Sequence, residues 1–199
     1  VAKRSNIWDT SVLRSIVEFM FSSIWSLLSV KKIADTLTSN GRKISVHTVE
    51  NYLEWLTQSF IFNKVSRYDI KWKQYLQTWD KYYATDISMR YAILWRKNLD
   101  LWYILENVVY LELIRRGYKV YVWKLWDKEV DFVAENSNWV SYFQVSYTLR
   151  DKETLKRELS SLQSIKNHYP KYILTMDVDP EVDYEGIQKK NVLDWLLWK

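Results

Sequence analysis

Cysteine is absent from the 199 residues, which excludes disulfides, thiolate zinc sites and cysteine nucleophiles together. A reducing, cytoplasmic setting is the expectation that follows. No apolar run approaches the roughly 18 residues a bilayer span needs, and the segment Val1 to Thr10 lacks the apolar core of a signal peptide. No membrane partner is therefore expected. No Gly-x-x-x-x-Gly-Lys-Ser/Thr occurs, so a nucleotide site of the P-loop type is excluded. Glycine is nearly missing: there are 3, where average usage would give about 14. Tryptophan is correspondingly abundant, at 12. Trp72, Trp79, Trp126 and Trp139 stand among polar, turn-forming neighbours. They read either as exposed rings that stack on bases or as occupants of turn positions that glycine usually fills. Their scatter through successive turns favours the second reading.

What is present describes a globular chain. Apolar residues make up 48% and charged residues 27%, without a long polar or repetitive tract. The 29 basic residues against 24 acidic ones leave a net charge of +5, which permits nucleic-acid binding without requiring it. The length suits two small modules.

Val12, Leu13, Ile16, Val17 and Met20 recur at helical spacing after Asp9, which can cap a helix. Ser29 can cap a short helix bearing Ile33, Ala34 and Leu37, and Gly41 supplies a turn. Ser45 can cap the next helix, with Val49, Tyr52, Leu53 and Leu56 on one face. Helix, turn and capped helix form a helix-turn-helix. The outward face of its second helix offers His47, Thr48 and Asn51, with Lys31, Lys32, Arg42 and Lys43 just upstream. These side chains suit base edges and phosphates of double-stranded DNA. Glu50 and Glu54 on the same helix oppose that reading, and the alternative is a helical module that only packs against a neighbour. Residues 59–68, 71–77 and 81–85 read as strands of a wing spanning 59–85, so the first module is a winged helix over 1–98, with the boundary near Asn98.

The second module, 99–199, opens with a helix from Leu101 to Arg116, capped by Asp100, apolar over most of its circumference and ended by Gly117. Strands at 119–124, 129–134 and 140–147, a charged helix from Asp151 to Lys166, a strand at 172–176 and a closing strand and helix follow. The fold class is α+β or mixed α/β. Glu106 lies inside the buried opening helix, where a carboxylate is costly unless paired, in a cleft or on a metal. The alternation in Lys128-Glu129-Val130-Asp131-Phe132-Val133 and in Phe143-Gln144-Val145-Ser146 lets Asp131 and Gln144 share a sheet face. The structural alternative has Glu106 and Asp131 capping or pairing with Arg115, Arg116 or Lys128.

This pattern resembles the PD-(D/E)XK nuclease fold. Tyr83-Ala84-Thr85-Asp86, Leu105-Glu106-Asn107, Lys128-Glu129-Val130-Asp131-Phe132-Val133 and Gln144-Val145-Ser146-Tyr147 together resemble the C-terminal half of a prokaryotic family of AAA-type P-loop ATPases. In that family the ATPase domain is followed by a winged helix and a nuclease-like domain. The resemblance covers nearly the whole chain and implies an ATPase domain as partner, absent from this sequence. It also implies a Mg²⁺ site and catalytic set at Glu106, Asp131 and Gln144. Two departures weaken that site: Gln144 replaces an acid, and Ser146 replaces a lysine whose ammonium would face a developing anion. The expectation is a non-catalytic or weakly active DNA-binding, regulatory module that holds Mg²⁺ weakly. The alternative is an active Mg²⁺-dependent DNA endonuclease that swings in Lys124, Lys128 or Lys152.

Overall fold

A computed structural model of the chain describes residues 9–24, 26–69, 74–95, 101–125 and 128–197, without the side chains of 68, 69, 74–78 and 125. Trp72, Trp126, the boundary at Asn98 and the cap at Asp100 lie outside the described residues. The chain forms two units, one of Val1–Val65 and Gln77–Leu99, the other of Ser66–Leu76 and Asp100–Lys199. Among the described residues no helix is long and apolar enough to cross a membrane.

The first unit holds α1 (Thr10–Ser22), α2 (Val30–Ser39) and α3 (Val46–Gln58), then most of a hairpin, β1 (Phe62–Asp69) and β2 (Gln74–Ala84), and α4 (Ser88–Leu94). Each of the first three helices starts where a side-chain oxygen can satisfy an orphan amide. Asp9 accepts from Ser11 N and Val12 N, Ser29 from Lys32 N, and Ser45 from Thr48 N at 3.0 Å. The apolar stripes meet in one core of Ile16, Met20, Phe21, Ile33, Leu37, Val49, Leu53 and Leu56, on which Phe62 and Tyr82 close.

The segments 71–77 and 81–85, expected as two strands, belong to one strand that runs unbroken from Gln74 to Ala84, residues 71–73 lying outside the described residues. The polar Trp79-Asp80 pair, read as a turn, is strand instead. Asp80 bridges to Leu28 through backbone bonds of 2.8 and 3.0 Å and holds Lys64 at 2.9 Å, so its polarity serves pairing rather than chain reversal. Trp139 does sit in a turn, where its amide donates to Asn136 Oδ1 at 3.0 Å. Yet neither Trp79 nor Trp139 is among the described residues with a left-handed backbone; besides three glycines those are Phe60, Trp95 and Glu185. Among the described residues the tryptophan in a glycine-like conformation is Trp95, which ends α4 at φ 50°.

The second unit holds α5 (Leu101–Arg115), β3 (Lys119–Leu125), β4 (Lys128–Glu135), β5 (Val140–Ser146), α6 (Lys152–Gln163), β6 (Lys171–Thr175), β7 (Val182–Asp183), β8 (Ile187–Asn191) and α7 (Val192–Leu196). The short β7 was not expected; a tight turn through Glu185 and Gly186, both left-handed, folds it back on β8. The strands line up in the order β3-β4-β5-β6-β8-β7, antiparallel from β3 to β5 and parallel from β5 through β6 to β8. Arg67 of β1 pairs in parallel with Val122 at the outer side of β3 and donates to the Lys124 carbonyl. The sheet is covered on both faces. Phe132 meets Tyr110 of α5 at 6.2 Å, while its neighbour Val133 shares a core with Leu162 of α6. Successive strand residues point to opposite faces, so α5 and α6 lie on opposite sides.

Candidate functional site

The polar centre of the second unit forms where β4 and β5 part. Their ladder runs from Glu135↔Val140 to Phe132↔Phe143, and beyond that point side chains take over its hydrogen bonds. Asp131 N donates to Gln144 Oε1 at 3.4 Å, and Val145 N donates to Asp131 Oδ2 at 2.8 Å. On the other flank of β4, Tyr121 pairs with Val133 and Trp123 with Val130, so Asp131 and Phe132 together oppose Val122 alone. This is a β-bulge, a device that bends a strand and re-aims its side chains. It leaves Asp131 turned toward the gap beside β5.

A third residue completes the cluster. Glu158, on α6, accepts from Gln144 Nε2 at 2.6 Å and from Arg157 Nη2 at 2.7 Å. Asp131, Gln144 and Glu158 are 9%, 6% and 3% exposed. Glu158 was not singled out from the sequence, because Lys152-Glu153-Thr154-Leu155-Lys156-Arg157-Glu158 reads as a solvated, charged helix. A signal existed: Glu158 follows Leu155 by three residues and precedes Leu162 by four, which puts it on the helix's apolar stripe.

Of the three expected site residues, the structure joins Asp131 and Gln144 directly. Glu106 is buried on α5. The basic side chains named as alternatives are occupied elsewhere in part. Arg115 and Arg116 both bind Glu112, at 2.6 Å each, Lys128 donates to Ser160 O, and Lys124 reaches Glu129 at 3.4 Å. The two cations on Glu112, the Arg115 hydrogen bond first among their effects, hold its carboxyl below the usual range against the opposing effect of burial. Ser146, at the expected lysine position, is buried and donates to Thr148 O.

Several oxygens of this donor set are already engaged within the protein. A Mg²⁺ ion needs several oxygens free to point at one centre. Here Gln144 Oε1 and Asp131 Oδ2 already accept from backbone amides, and Glu158 is bound by an amide and a guanidinium. Among the described residues no group of three or more His, Asp or Glu side chains is arranged to hold a metal ion. The geometry closes a gap in a sheet.

The residues proposed to face DNA are placed differently from one another. Lys31, Lys32, Arg42, Lys43 and His47 are exposed, while Thr48 and Asn51 are half-buried. Arg42 Nη1 donates to Ser11 Oγ at 2.9 Å, and the Thr48 hydroxyl is drawn to Ser45 Oγ at 2.7 Å. His47 Nδ1 lies 3.8 Å from Glu50.

Comparison with known proteins gives the chain its relatives. Residues 1–100 match a domain of unknown function, DUF8612, and residues 103–189 match a second domain of unknown function, DUF4143. An uncharacterized protein of Haemophilus influenzae is 36% identical over 197 residues, covering 99% of this chain and 48% of that protein. An uncharacterized protein of Methanocaldococcus jannaschii is 31% identical over 162 residues, covering 79% of this chain and 35% of that protein. The chain thus spans about half or less of the length of the curated relatives it matches. With half of its residues under the first match and most of the remainder under the second, the chain belongs to the DUF8612 family, its first domain followed by one of the DUF4143 type.

Proposed function

We propose that this chain is a non-catalytic, DNA-binding and regulatory module that works beside an AAA-type P-loop ATPase domain, with a nuclease-like site that has degenerated. The observation that carries the reading is the Gln144 side chain. Both ends of its amide are committed, Oε1 to Asp131 N and Nε2 to Glu158 Oε2. A nuclease of the PD-(D/E)XK type needs acids and a lysine at these strand positions to gather a cation and stabilise a developing charge. This site offers an amide and a hydroxyl instead, already engaged within the protein.

Three helices followed by a hairpin support a winged helix in the first unit, and the exposed Lys31, Lys32, Arg42 and Lys43 give it a phosphate-binding edge. The ATPase partner rests on the sequence resemblance, together with relatives long enough to carry a further domain.

Calorimetric titration with Mn²⁺, run on the chain and on Asp131→Asn alongside a plasmid cleavage assay in Mg²⁺, tests the reading. The expected result is the same negligible metal binding in both proteins and no cleavage. Robust Mg²⁺-dependent cleavage that disappears in Asp131→Asn would overturn it and make the chain an active nuclease.

A further inference from the structure

The second unit contains a cleft, away from the Asp131–Gln144 gap, that neither the resemblance nor the proposed function uses. Its volume is about 460 Å³, and its lining includes Phe143, Tyr172, Trp139, Trp195, Arg116 and Lys190. Sheet register builds it. Phe143 of β5 is directly opposite Tyr172 of β6, and their rings stack at 5.1 Å with an interplanar angle of 22°. Trp195 of α7 closes on Phe143 at 5.8 Å. Trp139, in the β4–β5 turn, stands 52% exposed at the mouth.

The chemistry of the lining selects the occupant. Aromatic clefts take either cations, on their π faces, or other planar rings. The cationic role is already filled, since the Arg116 guanidinium lies 4.1 Å from the centre of the Trp195 ring and donates to the Trp195 carbonyl. What remains is a stacking surface on the half-buried Tyr172 and the exposed Trp139, with the Lys190 ammonium at the rim. Lys190 is held 3.5 Å from Glu181, a residue 64% exposed at its side chain, so an anion can displace that surface pairing at little cost. Aromatic faces beside a cation are the elements that bind unpaired bases and their phosphates, and the volume falls in the range of small-ligand sites.

We propose that this cleft binds an unpaired nucleobase with its phosphate, the base stacked on Tyr172 and Trp139 and the phosphate met by Lys190. The site is distinct from the duplex contact proposed for the N-terminal helices.

The test measures binding of thymidine monophosphate and of single-stranded octathymidylate to the full chain at low salt, by tryptophan fluorescence and by anisotropy of the labelled strand. Tyr172→Leu keeps apolar bulk but removes the ring, and should weaken both ligands by roughly tenfold, the loss expected for one base stack. Tyr172→Phe keeps the ring and should bind as the parent does. Lys190→Ala alters only the rim and should weaken both ligands without changing the packed rings. Tighter binding of the strand than of the mononucleotide would assign the site to a nucleic acid, and equal binding to a free nucleotide. Three results overturn the proposal: equal affinity of Tyr172→Leu and Tyr172→Phe, no effect of Lys190→Ala, or preference for a trimethyllysine peptide over both nucleotides. The Arg42→Ala, Lys43→Ala double variant should leave these affinities unchanged, so that failure here and failure of the duplex contact are read separately.

Discussion

Gln144 and Glu158 are joined by a hydrogen bond of 2.6 Å between a β-strand and the helix that covers it, with both side chains buried. The amide of Gln144 donates to Glu158 at one end while accepting from Asp131 N at the other, and the Arg157 guanidinium holds the second oxygen of Glu158.

Gln144→Glu therefore places two carboxylates at hydrogen-bond distance in a buried setting, and the two cannot both stay ionised. The variant should lose about 3–5 kcal/mol at neutral pH, the range for an uncompensated buried charge. The pair's carboxyl pKa is raised relative to the unfolded chain, so the deficit should grow as pH rises above the usual carboxylate range and shrink below it. Combined with Ser146→Lys, the change supplies an acid and a lysine at the two strand positions, the new acid standing beside the Glu158 carboxylate. Mn²⁺ should then raise the melting temperature of the double variant and not that of the parent. Thermal melts across pH, with and without Mn²⁺, check both halves.

Asp177 predicts a pH dependence of opposite sign. Burial pushes its carboxyl up, but donation from Leu149 N at 2.7 Å, from the Thr148 hydroxyl at 2.8 Å and the nearby Lys189 outweigh it, and the net direction is down. A folded pKa below the unfolded one adds stability that is present above the unfolded value and lost as pH falls through the folded one. Asp177→Asn can keep an oxygen on Leu149 N only by turning its amide nitrogen toward the Thr148 hydroxyl, and it loses the charge that Lys189 offsets, so it should cost about 1–3 kcal/mol at pH 7. Urea unfolding should show the gap closing as pH drops from about 5 toward 2.

The caps at Asp9, Ser29 and Ser45 were legible because each is a local event, one side-chain oxygen meeting an amide two or three residues on. Helices α1, α2, α3, α5 and α6 and the second-unit strands other than β7 followed from periodicity for the same reason. Unity of β2 was not legible, because the bridge from Asp80 to Leu28 that makes a polar pair part of a strand spans 52 positions of chain, Asp80 minus Leu28. Asp131 and Gln144 could be placed together from strand parity, but their engagement with backbone amides depends on where the ladder stops, a property of two strands at once. Glu158 was hidden by its charged neighbours.

Trp95 is 86% exposed and left-handed at the end of α4. A side chain at such a φ costs about 1–2 kcal/mol relative to glycine, and this one loses almost no packing when removed. Trp95→Gly should therefore raise stability by about 1 kcal/mol in a thermal melt. Trp139→Gly, at a position without positive φ, should give no such gain, and equal effects at the two positions would sink the conformational argument.

If α2 and α3 meet duplex DNA, Arg42→Ala with Lys43→Ala should weaken every sequence similarly and reduce the salt slope by about 2. Electrophoretic binding measured over a series of salt concentrations decides it. An unchanged slope removes these two residues from the phosphate contact.

The division of the chain has a consequence for dissection. Residues 66–76 belong with the second unit although they are embedded in the sequence of the first. No single protease cut or gene truncation can release the second unit whole. A fragment starting at Asp100 would lack the strand that pairs beside Val122 and would present β3 as a bare edge, open to any strand of matching length. Such a fragment should self-associate, and the two halves expressed apart would not report what the joined chain does. A circular permutant, rather than a deletion, is the way to isolate its C-terminal part.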